Sequence, residues 1–282
     1  MGTINAFTVD LEDWFQGLTS TNPKPEKWPL YEPRLEANTL RLLAFLDQYH
    51  VQATFFVLGH VADQYPDLIR RIDAAGHEIG VHGYWHRRVH HLTPERFAAE
   101  LEQARHVLSL LVSSPIVGHR APYFSVNDRS LWALDVLRDQ GFRYDSSFLP
   151  TRNMLYGYSN APRFPHRAGN GDGLMEFPVS TARWGGGTWP IGGGFYVRVL
   201  PYRIVRAGIL QLNRQGQPAI MYMHPWELDT AQRYNRVTPR ERITHYYGRR
   251  GLKKKLERLF TDFEFTSLRN ILESEYSRSD RR

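Results

Sequence analysis

The sequence contains no cysteine among its 282 residues. Disulfide bonds and thiolate metal sites are therefore excluded, and any metal site must be built from histidines and carboxylates. No segment approaches the ~18 consecutive apolar residues of a membrane-spanning helix. Residues 1–10 lack the basic start and the apolar run of a signal peptide. We therefore expect no membrane span and a cytoplasmic protein, or a periplasmic one if a leader precedes this sequence.

What the sequence does contain is a hydrophobic fraction of 41%, enough for the core of one large α/β domain or two small ones. The formal net charge is +7. A basic face can attract nucleic acid, anionic lipid or an acidic polysaccharide, but it is more often a solvated helix face. No nucleic-acid-binding motif accompanies the charge, so no such partner is predicted. The basic excess lies late in the chain: Arg236, Arg240, Arg242, Arg249, Arg250, Lys253, Lys254, Lys255 and Arg258.

Segments of helical periodicity alternate with short apolar runs through most of the chain. Residues 34–49 and 61–75 have the helical pattern, and residues 51–58 between them have the pattern of a strand. This alternation predicts parallel strands with helices outside, in a barrel or an open sheet. In a barrel, the C-terminal ends of the strands converge on one mouth. Five polar residues share one placement, directly after a predicted strand: Asp10, His82, Arg120, Asp145 and His224.

The segment HGYWH places His82 and His86 four residues apart. On a helical turn, this spacing puts both imidazoles on one face, where they can reach one metal. Gly83 stands where a zinc protease has glutamate, which excludes that family. With 12 histidines in the chain, chance pairs at this spacing are expected. The motif alone is therefore a weak indication of a metal site.

The segment TVDLED places Asp10, Glu12 and Asp13 within four residues. Three neighbouring carboxylates repel one another unless a positive charge lies among them. A metal or an arginine would supply that charge, and a solvated acidic turn is the alternative.

Two further segments carry groups suited to catalysis, although each in isolation is more often structural. In RAPYF, Arg120 can aim its guanidinium at a carboxylate, and the stiff loop can place Tyr123 beside a ligand. Asp145 follows a strand, and an aspartate can orient a histidine such as His224 as a general acid.

Taken together and in this order, VDLEDWFQ, HGYWHR, GHRAPYFS, DSSF and YMHPWELD resemble the motifs of the polysaccharide deacetylases of the NodB-homology type, carbohydrate esterase family 4. With GGGFYVRVLP, they look like the subgroup encoded with bacterial exopolysaccharide loci. The resemblance covers about residues 4–228. It implies a distorted (β/α)7-type barrel over residues 1–235 and a C-terminal extension over residues 236–282 that packs on it. It also implies a hydrolase that removes N-acetyl groups from an amino-sugar polysaccharide or its precursor and releases acetate.

The resemblance further implies roles for single residues. His82 and His86 match the ligands of one divalent metal, with zinc expected before cobalt or nickel. Asp10 matches the catalytic base, and Arg120 matches the arginine that holds this base. His224 matches the general acid for the leaving amine, and Asp145 matches the residue that tunes it.

This sequence departs from the family pattern at two positions. The common first motif has adjacent aspartates, the second of which binds the metal, whereas Leu11 follows Asp10 here. The carboxylate ligand is therefore Glu12 or Asp13, and the Asp-x-Asp spacing of some relatives favours Glu12. Gly83 stands where the family usually has serine or threonine, and we expect looser hydrogen bonding of that turn without the loss of a ligand.

The predicted partners are an N-acetylated glycan and, through the extension, enzymes of polysaccharide synthesis. Tyr123, Trp184, Trp189 and Trp226 are candidates to border the sugar cleft, with core packing nearly as good an explanation for each. The glycine runs at 185–187 and 192–194 predict a mobile loop near the site. Two alternatives remain at this point: an amide hydrolase of small metabolites on the same fold, and a non-catalytic carbohydrate-binding protein.

Overall fold

The computed structural model describes residues 2–151, 157–169, 173–234 and 236–279. Its strands are β1 (Asn5–Leu11), β2 (Thr54–Val57), β3 (Glu78–Val81), β4 (Gly118–His119), β5 (Tyr144–Asp145), β6 (His166–Ala168), β7 (Leu174–Glu176), β8 (Thr181–Trp184), β9 (Gly187–Pro190), β10 (Ile220–Met223) and β11 (Phe265–Thr266). Its helices are α1 (Trp14–Gly17), α2 (Leu35–Gln48), α3 (Gly59–Gln64), α4 (Pro66–Ala74), α5 (Pro94–Ser109), α6 (Trp132–Asp139), α7 (Gly194–Val199), α8 (Tyr202–Asn213), α9 (Pro239–Glu241), α10 (Arg249–Asp262) and α11 (Leu268–Ser279).

One curled sheet organises the molecule, with the strand order β10-β1-β2-β3-β4-β5-β7-β6. The first seven strands of this order are parallel to their neighbours, and only β6 runs antiparallel, at the edge. Seven parallel strands confirm the predicted distorted (β/α)7-type architecture. Within the described ranges, strand pairing does not join β6 to β10, so the sheet is a half-barrel. Residues flanking the separate β8–β9 hairpin cover β10, since Tyr222 donates its backbone N–H to the Gly192 carbonyl at 2.7 Å.

The local sequence explains the helix boundaries. Residues 61–75, predicted as one helix, form α3 and α4, which are interrupted at Tyr65. Pro66 begins the second helix because proline has no N–H to donate and disfavours a helical conformation of the residue before it. The predicted cap of α5 is present, since the Thr93 hydroxyl accepts the Arg96 backbone N–H at 3.3 Å.

The C-terminal segment is part of the core. Strand β11 pairs with Asn5 and Ala6, the first two residues of β1. Leu268, Ile271 and Leu272 of α11 are buried in one cluster with residues of the sheet. The predicted boundary between residues 235 and 236 stays a prediction, and residue 235 lies outside the described residues. No helix in the described ranges is long and apolar enough to span a membrane.

Candidate metal centre

Three buried side chains meet at the C-terminal edge of the sheet. Glu12 follows β1, His82 follows β3, and His86 lies four residues further along the loop. The ligand atoms of these three residues all lie within 4.8 Å of one another. In the part of the chain that the structure describes, no other group of three or more histidines and carboxylates converges in this way.

The loop that carries the two histidines differs from the prediction. Residues 82–86 are not a helical turn, because Gly83 and His86 both have left-handed backbones, with φ of 74° and 54°. Glycine adopts this conformation without the steric cost of a Cβ, which gives Gly83 a conformational role at this position. The two imidazoles are therefore brought together by a reversal of the chain rather than by helical spacing.

Hydrogen bonds determine which nitrogen of each imidazole faces the cluster. Nδ1 of His82 lies 2.8 Å from the Arg120 carbonyl oxygen, which only accepts, so this nitrogen carries the proton. Nδ1 of His86 lies 3.2 Å from Oδ1 of Asn22, whose amide nitrogen donates to the His86 carbonyl at 3.1 Å. In both rings, the Nε2 lone pair is left for a metal ion, as is usual for metal-binding histidines.

The charges of these groups fit a cation. Nε2 of His86 is 2.7 Å from Oε2 of Glu12, a contact that a positive charge stabilises, carried either by a protonated ring or by a metal ion beside both atoms. Burial lowers the pKa of His82 to about 4, so this ring is neutral at pH 7. Burial alone would raise the pKa of Glu12, but the charges of His86 and His224 lower it to about 2. Two imidazoles and one carboxylate form a ligand set for a divalent metal.

Asp13 takes no part in this cluster. Its Oδ1 accepts the Trp14 backbone N–H at 2.8 Å, and its Oδ2 accepts the backbone N–H groups of Arg34 and Leu35 at 2.8 and 3.1 Å. This carboxylate caps α1 and holds it to the start of α2. The geometry therefore corrects the alternative of Asp13 as a ligand and leaves Glu12 as the candidate carboxylate.

Asp10 and Arg120 lie together beside the candidate metal ligands. Nη1 of Arg120 donates to Oδ1 of Asp10 at 2.8 Å and to the Thr8 hydroxyl at 2.7 Å. Nε and Nη2 of Arg120 donate to the carbonyl and hydroxyl of Ser146 at 3.0 and 2.8 Å. The fully buried guanidinium therefore holds one oxygen of Asp10, and the other oxygen, Oδ2, lies 3.9 Å from Nε2 of His224.

His224 faces Asp10 and Glu12 through Nε2, and a third carboxylate contacts Nδ1 on the other side of the ring. Nδ1 of His224 is 2.9 Å from Oε1 of Glu227, and Oε2 of Glu227 accepts Nε–H of Arg198 at 2.6 Å. Burial lowers the pKa of His224, but the charge of Glu12 and the hydrogen bond to Glu227 outweigh burial and raise it to about 9. The imidazole is therefore held protonated, with Nε2 facing Asp10 and Glu12.

Comparison with known proteins decides the family. The polysaccharide deacetylase profile matches residues 27–144, and a domain of unknown function, DUF3473, matches residues 146–273. Residues 27–144 therefore belong to a polysaccharide deacetylase domain. The second match marks the exopolysaccharide-associated subgroup that the motifs predicted.

Individual relatives agree with this assignment. A peptidoglycan deacetylase of Helicobacter pylori is 29% identical over 114 residues, which are 40% of this chain and 38% of that protein. A chitooligosaccharide deacetylase of Bradyrhizobium sp. is 34% identical over 97 residues, which are 34% of this chain and 42% of that protein. The chain thus aligns with less than half of the length of these relatives. A crystal structure assigned to a polysaccharide deacetylase of Mycobacterium smegmatis shares the fold, with a TM-score of 0.70 at 22% identity, covering 99% of this chain and 92% of that one.

The structure does not bring Asp145 to His224. Oδ1 of Asp145 accepts from Nδ1 of His119 at 2.8 Å and from the Ser147 hydroxyl at 2.7 Å. Burial, followed by the charge of Asp145, raises the pKa of neighbouring Glu176 well above its ordinary value. Asp145 therefore belongs to a buried network of the sheet, which corrects its predicted role in tuning the acid.

Glu227, the carboxylate that does contact His224, has a recognisable signal in the sequence. Proline follows His224 directly, and glutamate stands three residues after it. This spacing is that of a capping box, in which the glutamate side chain reaches back to the first residue of a helical turn. Here the Glu227 carboxylate accepts the His224 backbone N–H at 3.0 Å as well as contacting the ring.

Two of the four predicted aromatic residues line the cavity around the candidate metal centre, which has a volume of about 120 Å³. The Trp226 ring stacks on His224 at 4.7 Å, and the Tyr123 ring lies 4.6 Å from that of His86. Trp184 and Trp189 do not line this cavity, because they belong to the β8–β9 hairpin. This hairpin, with two glycines of positive φ at its turn, is a regular structure in place of the predicted loop.

Sequence reasoning missed several residues of the site. Asn22, which orients His86, lies in the proline-rich excursion after α1 and had no recognisable motif. Four lining residues come from the segment after residue 235, namely Arg240, Glu241, Thr244 and His245. Their contribution depends on how that segment folds over the barrel mouth, which no local pattern indicates.

Proposed function

We propose that this chain is a metal-dependent hydrolase that removes N-acetyl groups from an amino-sugar glycan, releases acetate, and acts in exopolysaccharide assembly. One observation carries the proposal: the Glu12–His82–His86 cluster lies beside both Asp10 and His224 in a single cavity. Relatives named as peptidoglycan and chitooligosaccharide deacetylases support an N-acetylated sugar backbone as substrate.

Glu12, His82 and His86 would hold the metal, and zinc, cobalt and nickel all suit two imidazoles and one carboxylate. When bound, such an ion polarises the acetyl carbonyl and makes water easier to deprotonate. The buried hydrogen bonds of His82 to the Arg120 carbonyl and of His86 to Asn22 keep both rings in the orientation that this requires.

Asp10 and His224, which lie beside the cluster, would accept and donate the protons of the reaction. Arg120 occupies Oδ1 of Asp10, which leaves Oδ2 to take the proton of the attacking water. Nε2 of His224 then donates its proton to the nitrogen of the leaving amine, and Glu227 stabilises the charged ring. The Tyr123 backbone, at a φ of 57° on the cavity wall, is the candidate to donate its N–H to the oxyanion.

Of the alternatives, the non-catalytic carbohydrate-binding protein predicts a broken catalytic set. The Glu12–His82–His86 cluster lies with His224 and the Asp10–Arg120 pair at one site, which supports turnover rather than binding alone.

Acetate release from N-acetylglucosamine oligomers tests the proposal, with ureides as substrates for the small-metabolite alternative. We expect chelation to abolish release and added metal to restore it. Asp10→Asn should abolish turnover and keep the metal, whereas His82→Ala should lose the metal. His106→Ala changes an exposed histidine of α5 and serves as the control. Full acetate release by Asp10→Asn, or hydrolysis confined to ureides, would contradict the proposal.

A further inference from the structure

Two arginines without a carboxylate partner line the cavity of the metal centre. Arg88 lies two residues after His86, and Arg240 lies in α9 of the C-terminal segment. Within the described ranges, neither guanidinium has a carboxylate oxygen within 4.0 Å, and Nε of Arg88 is buried with no hydrogen-bond partner. An unsatisfied buried donor on a cation is costly, so its presence on a cavity wall indicates an anionic ligand.

The carboxylates of the same cavity are already engaged. Asp10 binds Arg120, and Glu227 binds Arg198. Glu12 belongs to the metal cluster.

The fourth carboxylate, Glu241, is satisfied by neutral donors. Its Oε1 accepts from the Thr19 hydroxyl and the Ser20 backbone N–H at 3.0 and 2.9 Å. Its Oε2 accepts the backbone N–H and the hydroxyl of Thr238, both at 3.0 Å. The cavity therefore offers the charge of Arg88 and Arg240 to a ligand from outside.

Arg88 is held in position for such a ligand. Its guanidinium carbon lies 4.8 Å from the centroid of the Tyr123 ring, a cation–π contact that orients one face of the group. The same ring contacts His86, and its hydroxyl donates to the Gln16 carbonyl at 3.3 Å. A planar guanidinium fixed in this way matches the paired oxygens of a carboxylate or a phosphate.

We propose that Arg88 and Arg240 form an anion-binding subsite, so that the glycan carries a carboxylate or phosphate group close to the acetamido sugar that reacts. This inference rests on the proposed function and names its substrate class. The anion has two chemical sources: an acidic sugar within the polymer, or the diphosphate of an activated precursor. Both present oxygen acceptors to the two guanidinium groups.

Binding without turnover tests the subsite. Calorimetry on the inactive Asp10→Asn variant compares three probes: an N-acetylglucosamine oligomer, an oligomer of alternating N-acetylglucosamine and glucuronate, and uridine diphosphate N-acetylglucosamine. We expect at least one anionic probe to bind about tenfold more tightly than the neutral oligomer, a preference that weakens with added salt. Preference for the glucuronate oligomer indicates the polymer as the source, and preference for the diphosphate sugar indicates the precursor.

Matched arginine variants locate the subsite. Arg88→Gln and Arg240→Gln should each reduce the preference, and the double variant should remove it. Arg87→Gln and Arg242→Gln change exposed neighbours that do not line the cavity, and they should keep it. The same titrations on metal-stripped wild-type chain give a second background without turnover.

Equal binding of all three probes, or an unchanged preference in the double variant, overturns the subsite. Acetate release is scored separately on the wild-type chain. Deacetylation of neutral oligomers together with equal binding of the probes would refute the subsite and leave the proposed function standing. Arginine-dependent binding of an anionic probe without acetate release from any glycan would support the subsite and refute the deacetylase.

Discussion

Glu12 and Asp13 are adjacent in the chain, but their carboxylates point to different partners. Glu12 lies with His82 and His86, while both oxygens of Asp13 are taken up by backbone N–H groups. The two residues therefore differ in what their loss would remove: a metal ligand in one position and a helix cap in the other.

Glu12→Gln should lose the metal, because the amide removes the only anionic ligand of the cluster. Asp13→Asn should keep it and lose about 1 kcal/mol of stability, the usual value of a helix cap. Metal content per chain after reconstitution, together with thermal unfolding, measures both effects. Retention of metal by Glu12→Gln and its loss from Asp13→Asn would reverse the two assignments.

Glu227 and Asp145 are a second pair of carboxylates, of which the first contacts the general acid and the second belongs to a buried network of the sheet. Glu227→Gln should lower kcat by about 10²-fold with the metal retained, because the imidazole loses the negative charge that stabilises its protonated form. The loss should be smaller for para-nitrophenyl acetate, whose leaving group needs no proton. Asp145→Asn, which changes the partner of His119, should lower the melting temperature without this leaving-group dependence. If Asp145→Asn rather than Glu227→Gln showed the leaving-group dependence, Asp145 would be the residue that tunes the acid.

At the scale of elements, the loop after β3 positions the metal ligands through its backbone conformation. The left-handed residues Gly83 and His86 turn the chain back, so that both rings reach Glu12. Helical spacing predicted the same neighbourhood for a different reason, because residues i and i+4 also approach each other in a reversing loop.

Gly83→Ala and Gly141→Ala form a matched pair for this loop. The two glycines have φ of 74° and 79°, and an added Cβ would meet no atom closer than 3.6 Å at either position. Both variants should lose about 1 kcal/mol from left-handed strain. Only Gly83→Ala should also weaken metal binding, as measured by calorimetric titration of the metal-stripped chain. Equal metal affinities of the two variants would show that the loop tolerates a shift.

The connection between α4 and β3 contains a histidine that must stay neutral. Burial lowers the pKa of His77 to about 4, and its Nδ1 accepts the Ala53 backbone N–H at 3.2 Å. Because the unfolded chain titrates near pH 6.5, it binds more protons than the folded chain between pH 6.5 and 4. The stability that His77 contributes is therefore present above this window and is lost as the pH falls through it.

His77→Asn keeps a hydrogen-bond acceptor for the Ala53 backbone N–H and removes the imidazole that titrates. Its melting temperature should fall less between pH 7 and pH 5 than that of the wild-type chain. Parallel curves for the two proteins would show that His77 does not carry this dependence.

At the scale of the whole molecule, the C-terminal segment completes both the core and the cavity. Strand β11 pairs with β1, and α11 packs Leu268 against residues of the main sheet. The same segment places Arg240 and His245 on the cavity wall. We therefore expect it to unfold together with the barrel.

Leu268→Ala should lower the free energy of unfolding by about 2–5 kcal/mol, as expected for a fully buried leucine. Leu110→Ala, at a leucine that is 71% exposed, should change it by less than about 0.5 kcal/mol. Urea unfolding followed by circular dichroism and by tryptophan fluorescence should give coincident transitions. A separate early transition that alone responds to Leu268→Ala would show that the segment is an independent unit.

The family resemblance implied the seven-stranded barrel, whereas the residue pattern by itself predicted the parallel strands and the placement of Asp10, His82 and Arg120 at their ends. These follow from apolar runs that end at polar residues, because parallel strands bring their C-terminal ends to one edge. Only the tertiary structure decided that Glu227 rather than Asp145 supports His224, that Asp13 caps helices, and that Arg240 reaches the cavity. The physical reason is that position along a strand places a residue at the edge of the sheet, whereas the partner of its side chain depends on segments that pack there from elsewhere in the chain.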